Sequence, residues 1–90
     1  MGITAVKIKL MPSSPEINLE EIEEKVKNII EEAGGKNPTF EKQPIAFGLN
    51  ALIILFAWPE EKELEDLENR LKNIENVNST DVIDIRRAIG

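Results

Sequence analysis

The chain contains no cysteine and no histidine. Imidazole bases, thiolate nucleophiles, disulfides and thiolate metal sites are therefore excluded together, and a zinc site would have to be built from carboxylates alone. Carboxylate pairs for acid–base work remain available among 17 acidic residues. None stands apart from runs such as Glu20-Glu21 and Glu23-Glu24, which read as solvated helix faces. No catalytic set, metal site or cofactor is expected, and the chain does not read as an enzyme.

Two other features of the sequence call for a reading. Phe47 sits beside Gly48 in a segment that opens with Pro44, and Arg86-Arg87 form the one adjacent arginine pair. Each has a plainer reading. Phe47 could plug the core beside a hairpin, and the arginines could solvate a strand end, where alternation would put them on opposite faces. Lys7 and Lys9 read as the outer face of a strand, and Trp58, next to Pro59, as a core or rim residue.

Formal charge and length bound the possibilities. Against those 17 acids stand 11 basic residues, a net charge of −6. That disfavours a general nucleic-acid binder, which needs clustered Lys and Arg, and equally a protein that docks on anionic lipid. Ninety residues, 41% of them apolar, suffice for one domain with one core, expected to span 1–90. The longest apolar run, Ala51 to Trp58, falls far short of the ~20 residues of a membrane helix. Charges arrive too early in Met-Gly-Ile-Thr-Ala-Val-Lys for a signal peptide, so the cytoplasm is the expected compartment.

The elements that must position these residues follow from periodicity. Ile3 to Leu10 alternates, with Thr4, Val6, Ile8 and Leu10 on one face, and the prolines of Met11-Pro12-Ser13-Ser14-Pro15 are expected to break that strand. Asn18 can cap a helix with Glu21 at its third position, while Ile17 and Ile22 are spaced as a hydrophobic staple. Leu19, Ile22, Val26, Ile29, Ile30 and Ala33 form its apolar stripe, and Gly34-Gly35 ends it. Lys36 to Gln43 is a charged edge strand, Pro44 to Gly48 a turn, and Leu49 to Trp58 an apolar central strand stopped by Pro59. Leu64, Leu67, Leu71 and Ile74 predict a second helix over Glu60 to Glu75, without a good N-cap residue. Asn76 to Ser79 is expected to be a loop, and Val82 to Arg86 a strand with Ile83 and Ile85 facing inward.

Strand, helix, strand, strand, helix, strand is a split βαβ arrangement, an α+β ferredoxin-like sandwich. It predicts a four-stranded antiparallel sheet with both helices on one face, in the order fourth, first, third, second. The turn around Pro44 to Phe47 and the strand end at Arg87 then lie at opposite ends of the sheet, roughly 30 Å apart at ~3.3 Å per residue. They cannot form one small pocket, but they can be two contacts on a large partner.

Three stretches resemble translation elongation factor 1-beta of the short archaeal type: Lys9-Leu10-Met11-Pro12 with Ser14-Pro15 and Asn18-Leu19-Glu20; Pro44-Ile45-Ala46-Phe47-Gly48-Leu49 with Ala51-Leu52; and Asp81-Val82 with Asp84-Ile85-Arg86-Arg87-Ala88-Ile89-Gly90. Their order and spacing match along the whole chain. The resemblance implies a guanine nucleotide exchange factor for elongation factor 1-alpha, a GTPase, with partner-binding residues Pro44, Ile45, Phe47, Gly48, Arg86 and Arg87. It implies that Phe47 meets the second domain of the GTPase. In the eukaryotic relatives a C-terminal lysine approaches the magnesium and phosphate site; that position falls here on Arg87, beside Arg86. An arginine fork and a lysine point charge are not equivalent, so the region carries over more directly than the single residue. The free protein is expected to be a monomer with no direct nucleic-acid or membrane contact. An alternative of another class is a ferredoxin-like regulatory module for a small ligand, although the first strand-to-helix connection holds two prolines instead of a glycine-rich loop.

Overall fold

Alternation in the first residues becomes strand β1 (Ile3–Pro12), whose Val6, Ile8 and Leu10 are closed to water while Lys7 and Lys9 lie on the other side of the pleat. A computed structural model describes residues 2–89. Helix α1 (Leu19–Ala33) follows. The extended Asn18 caps it, its side chain accepting from the Glu20 N–H at 2.9 Å. Its C-terminus closes by a double turn bond: Gly35 N–H donates to the Ile30 carbonyl (2.8 Å) and Gly34 N–H to that of Glu31 (3.2 Å). Gly34 takes φ 106°, a conformation that L side chains rarely adopt.

Strand β2 (Lys36–Pro44) and strand β3 (Asn50–Pro59) are joined through a single 3-10 turn at Ala46–Gly48. Helix α2 (Glu65–Lys72) and strand β4 (Val77–Ile89) complete the chain. The sheet order is β2-β3-β1-β4, every neighbour antiparallel, so the expected order holds. The two helices cover one face. There Val6, Ile8 and Leu10 of β1 and Leu52, Ile54, Phe56 and Trp58 of β3 meet Leu19, Ile22, Val26 and Ile30 of α1 and Leu67 and Leu71 of α2. Apolar residues on the other face of β3 are left partly open, with Leu55 41% exposed. β2 is an edge strand, as its charges imply.

Four expectations need correction. β1 does not stop at Leu10: Met11 pairs with Ser79 and Pro12 with Val77, so the strand continues to its end, where a missing donor is tolerated. By the same pairing Val77 to Ser79 belongs to β4 and is not a loop; of that stretch only Asn76, at φ 72°, lies in the turn that follows α2. The second helix spans Glu65–Lys72, not Glu60 to Glu75. Before it, Lys62 N–H turns back to the Pro59 carbonyl (3.1 Å), and the Lys62 carbonyl accepts from the Trp58 indole (3.0 Å) instead of from a helical N–H. The Lys62 ammonium meanwhile binds the Ala33 carbonyl at the end of α1 and lies 5.5 Å from the Trp58 ring centroid.

The fourth correction concerns Ile83 and Ile85, which are not a buried inward pair but 49% and 53% exposed. β1 pairs Lys7 with Asp84 and Ile8 with Val82, leaving Ile83 as the extra residue of a β-bulge that shifts the alternation. Ile85 stands opposite Val6 but at the outer edge of the sheet, and the β4 residues that reach the core are Val77, Thr80 and Val82.

Two substitutions test this arrangement by thermal unfolding. Leu52→Asp or Ile54→Asp places an unpaired charge in the closed layer, a cost comparable to the whole stability of ~5–15 kcal/mol, and should abolish the cooperative transition. Thr80 is 7% exposed and its hydroxyl oxygen has no hydrogen-bond partner. Thr80→Val, which keeps the shape and removes the orphaned group, should raise stability by about 1 kcal/mol.

Candidate partner interface

The segment from Pro44 to Asn50 is drawn tight by its ends. Pro44 pairs with Asn50 across the β2–β3 ladder, and the Ile45 N–H donates to the Leu49 carbonyl at 2.7 Å. Leu49 N–H returns to the Ala46 carbonyl at 3.4 Å. With so few residues left to reverse direction, the chain enters the left-handed region twice in succession, at Phe47 (φ 64°, ψ 28°) and Gly48 (φ 76°). Glycine accommodates this freely, and a Cβ there would meet nothing within 4 Å. For phenylalanine the same region costs about 1–2 kcal/mol.

Phe47 gains no packing in return. It is 93% exposed, the most open of the large apolar side chains among the described residues. The core-plug reading therefore does not describe its placement. Pro44 and Gly48 are exposed beside it and Ile45 is half-buried, so these four residues form one small apolar knuckle at the end of the sheet.

Arg86 and Arg87 lie at the other end, opposite Ala5 and Thr4 of β1, which themselves face Ala57 and Trp58 of β3. From Asn50 to Trp58 the sheet runs roughly 27 Å at ~3.4 Å per residue. The overall extents of 42 × 21 × 18 Å leave the two groups on a long, narrow body. The structure thus brings Pro44, Ile45, Phe47 and Gly48 together, leaves Arg86 and Arg87 as successive residues of β4 on opposite sides of the pleat, and keeps both far from the first group.

Neither arginine stands alone. Arg86 donates through Nε to Asp84 Oδ2 at 2.8 Å, and Arg87 approaches Glu60 Oε2 through Nε at 3.2 Å. Sequence reasoning missed both carboxylates. The spacing of Asp84 and Arg86, two apart on one strand, carried a signal for the first. Glu60 carried none, since only the sheet order brings it beside β4. Among the described residues no group of three or more acidic side chains could hold a metal ion, and no helix is long and apolar enough to cross a membrane.

Comparison with known proteins agrees with this architecture. The model of the EF-1 guanine nucleotide exchange domain matches residues 5–88. Elongation factor 1-beta of Methanococcus aeolicus is 39% identical over 94% of this chain and 97% of its own length. That of Pyrococcus abyssi is 42% identical over 89% of each. Among solved structures, 30S ribosomal protein S6 of Thermotoga maritima superposes with a TM-score of 0.63 at 21% identity, covering 94% of this chain and 87% of its own, a likeness of fold alone. The chain belongs to the family of the EF-1 guanine nucleotide exchange domain, that of the elongation factor 1-beta proteins.

Proposed function

We propose that this chain is a guanine nucleotide exchange factor that promotes GDP release and GTP loading on elongation factor 1-alpha during translation elongation, with residues 1–90 acting as one exchange domain. The observation that carries the reading, beside family membership, is Phe47: an aromatic side chain held in a costly backbone conformation and 93% exposed, at the opposite end of the sheet from the arginine pair. A bare core domain gains nothing from such a residue, whereas a partner with an apolar pocket does. The free protein acts in the cytoplasm as a monomer.

The mechanism requires no covalent step. The knuckle of Pro44, Ile45, Phe47 and Gly48 docks on one domain of the GTPase. Arg86 or Arg87, roughly 27 Å away, reaches the GTP-binding domain near the magnesium and phosphates. A rigid body that fits both contacts only when the nucleotide site is open binds the empty GTPase better than the loaded one. By linkage, it must lower nucleotide affinity by the same factor. Equal affinity for both states would shift nothing. A guanidinium close to the β-phosphate's metal would compete for the charge that holds GDP.

The direct test is release of a fluorescent GDP analogue from an archaeal elongation factor 1-alpha. Substoichiometric amounts of this chain should accelerate release by orders of magnitude; no acceleration with a matched, active GTPase would remove the function and favour the small-ligand module instead. Phe47→Ala should slow exchange at least tenfold, a loss typical of an exposed aromatic anchor, while unfolding at an unchanged temperature. A parallel loss of melting temperature would return Phe47 to a structural role. Of Arg86→Ala and Arg87→Ala, assayed singly, the variant that removes the contacting arginine should reduce the maximal release rate more than it reduces binding to the GTPase.

A further inference from the structure

The two arginines are held in different ways. Asp84 and Arg86 are neighbours on one strand, so their contact is local and moves with β4 alone. Glu60 and Arg87 come from different elements: Glu60 follows β3, Arg87 lies in β4, and β1 runs between them. Glu60 is also a firm post. Its N–H donates to the Gly2 carbonyl at 3.0 Å, and it directly follows Pro59, which pairs with Ile3. Gly2, Glu60, Glu61 and Arg87 together line a shallow recess of about 260 Å³.

A guanidinium has five N–H donors in a flat fork, and one carboxylate takes at most two of them. The closest approach of Arg87 to Glu60 is from Nε, the donor nearest the backbone, and no second carboxylate lies within 4.0 Å of Arg87 among the described residues. The side chain is still 66% exposed. Its stem is therefore steadied while most of its donors stay available to an incoming anion.

We propose that Glu60 is a positioning residue for Arg87: it holds the guanidinium with its outer edge presented to an anionic group of the partner, a carboxylate or a phosphate. The proposal rests on the exchange reading above and deepens it, because it assigns the contact at this end of the sheet to Arg87, leaving Arg86 tied to its own strand. A free arginine loses several rotatable bonds on docking, whereas one already held has less freedom to lose. An exposed ion pair adds little to the stability of the fold, so removing Glu60 should affect recognition and leave unfolding unchanged.

The test is nucleotide release by the Glu60→Ala, Glu60→Gln and Arg87→Lys variants and the double variant, with Arg87→Ala alongside. Glu60→Ala should lower the maximal release rate by about two- to fivefold, with the melting temperature and the concentration giving half-maximal release little changed. Glu60→Gln keeps an oxygen that can accept from Nε and should recover most of that loss. In the Arg87→Lys background Glu60→Ala should have no further effect, because lysine has no Nε to hold. If Arg87→Ala slows exchange but Glu60→Ala does not, or if Glu60→Ala accelerates it, the positioning role is overturned while the exchange reading stands. An equal loss in Glu60→Gln and Glu60→Ala would assign the effect to charge and also overturn it. If Arg87→Ala is silent, Arg87 has no part in exchange, and the proposal falls together with that assignment.

Discussion

Val6, Ile8 and Leu10 on β1 stand directly opposite Phe56, Ile54 and Leu52 on β3, and none of the six is more than 2% exposed. Burying side chains of this size stabilises by about 1.5–3 kcal/mol each, so this one layer is comparable to the whole net stability of a small domain. A slip of one strand by one residue would turn its three toward solvent and leave the other three uncovered. The register of the central pair is therefore not negotiable, and the positions of both ends of the sheet follow from it. The tight turn leaves β3 at Asn50 and Glu60 leaves it after Pro59, so the apolar knuckle and the arginine pair are held at a set separation.

That rigidity suits a protein whose proposed task is to present two contacts at a fixed separation. Phe47 is presented in a costly conformation by a turn that its short length makes unavoidable, so its direction is set before any partner arrives. At the far end, Lys62 ties the close of β3 to the last carbonyl of α1 while its own carbonyl accepts from Trp58. The segment carrying Glu60 is thereby fastened on both sides.

Most of the architecture was legible because its determinants are local. The alternation of β1, the Asn18 cap, the Gly34-Gly35 stop and the apolar run of β3 each encode their outcome within a few residues. The failures were non-local. The start of α2 depends on Trp58 and Ala33 taking the hydrogen-bonding groups of Lys62, which no helical periodicity reports. The early start of β4 depends on Met11 and Pro12 offering it a partner. The bulge at Ile83 changes the phase of the strand, so a reading by simple alternation put Ile83 on the wrong face. Within the candidate site, the exposure of Phe47 had a local signal in Gly48, whereas Glu60 meets Arg87 only because β4 comes to lie beside β1.

The same strand order sets a timetable for the nascent chain. β1 leaves the ribosome before either of its neighbours, and β3 and β4 are the strands that flank it. At roughly 5–20 residues per second, Val6, Ile8 and Leu10 wait some seconds for the segments that will cover them. Helix α1 can form early from its own cap and stripe, and it offers those residues a provisional apolar surface while the sheet is still incomplete. Closure of the domain is then a late event, governed by the arrival of the strand that also carries the arginines.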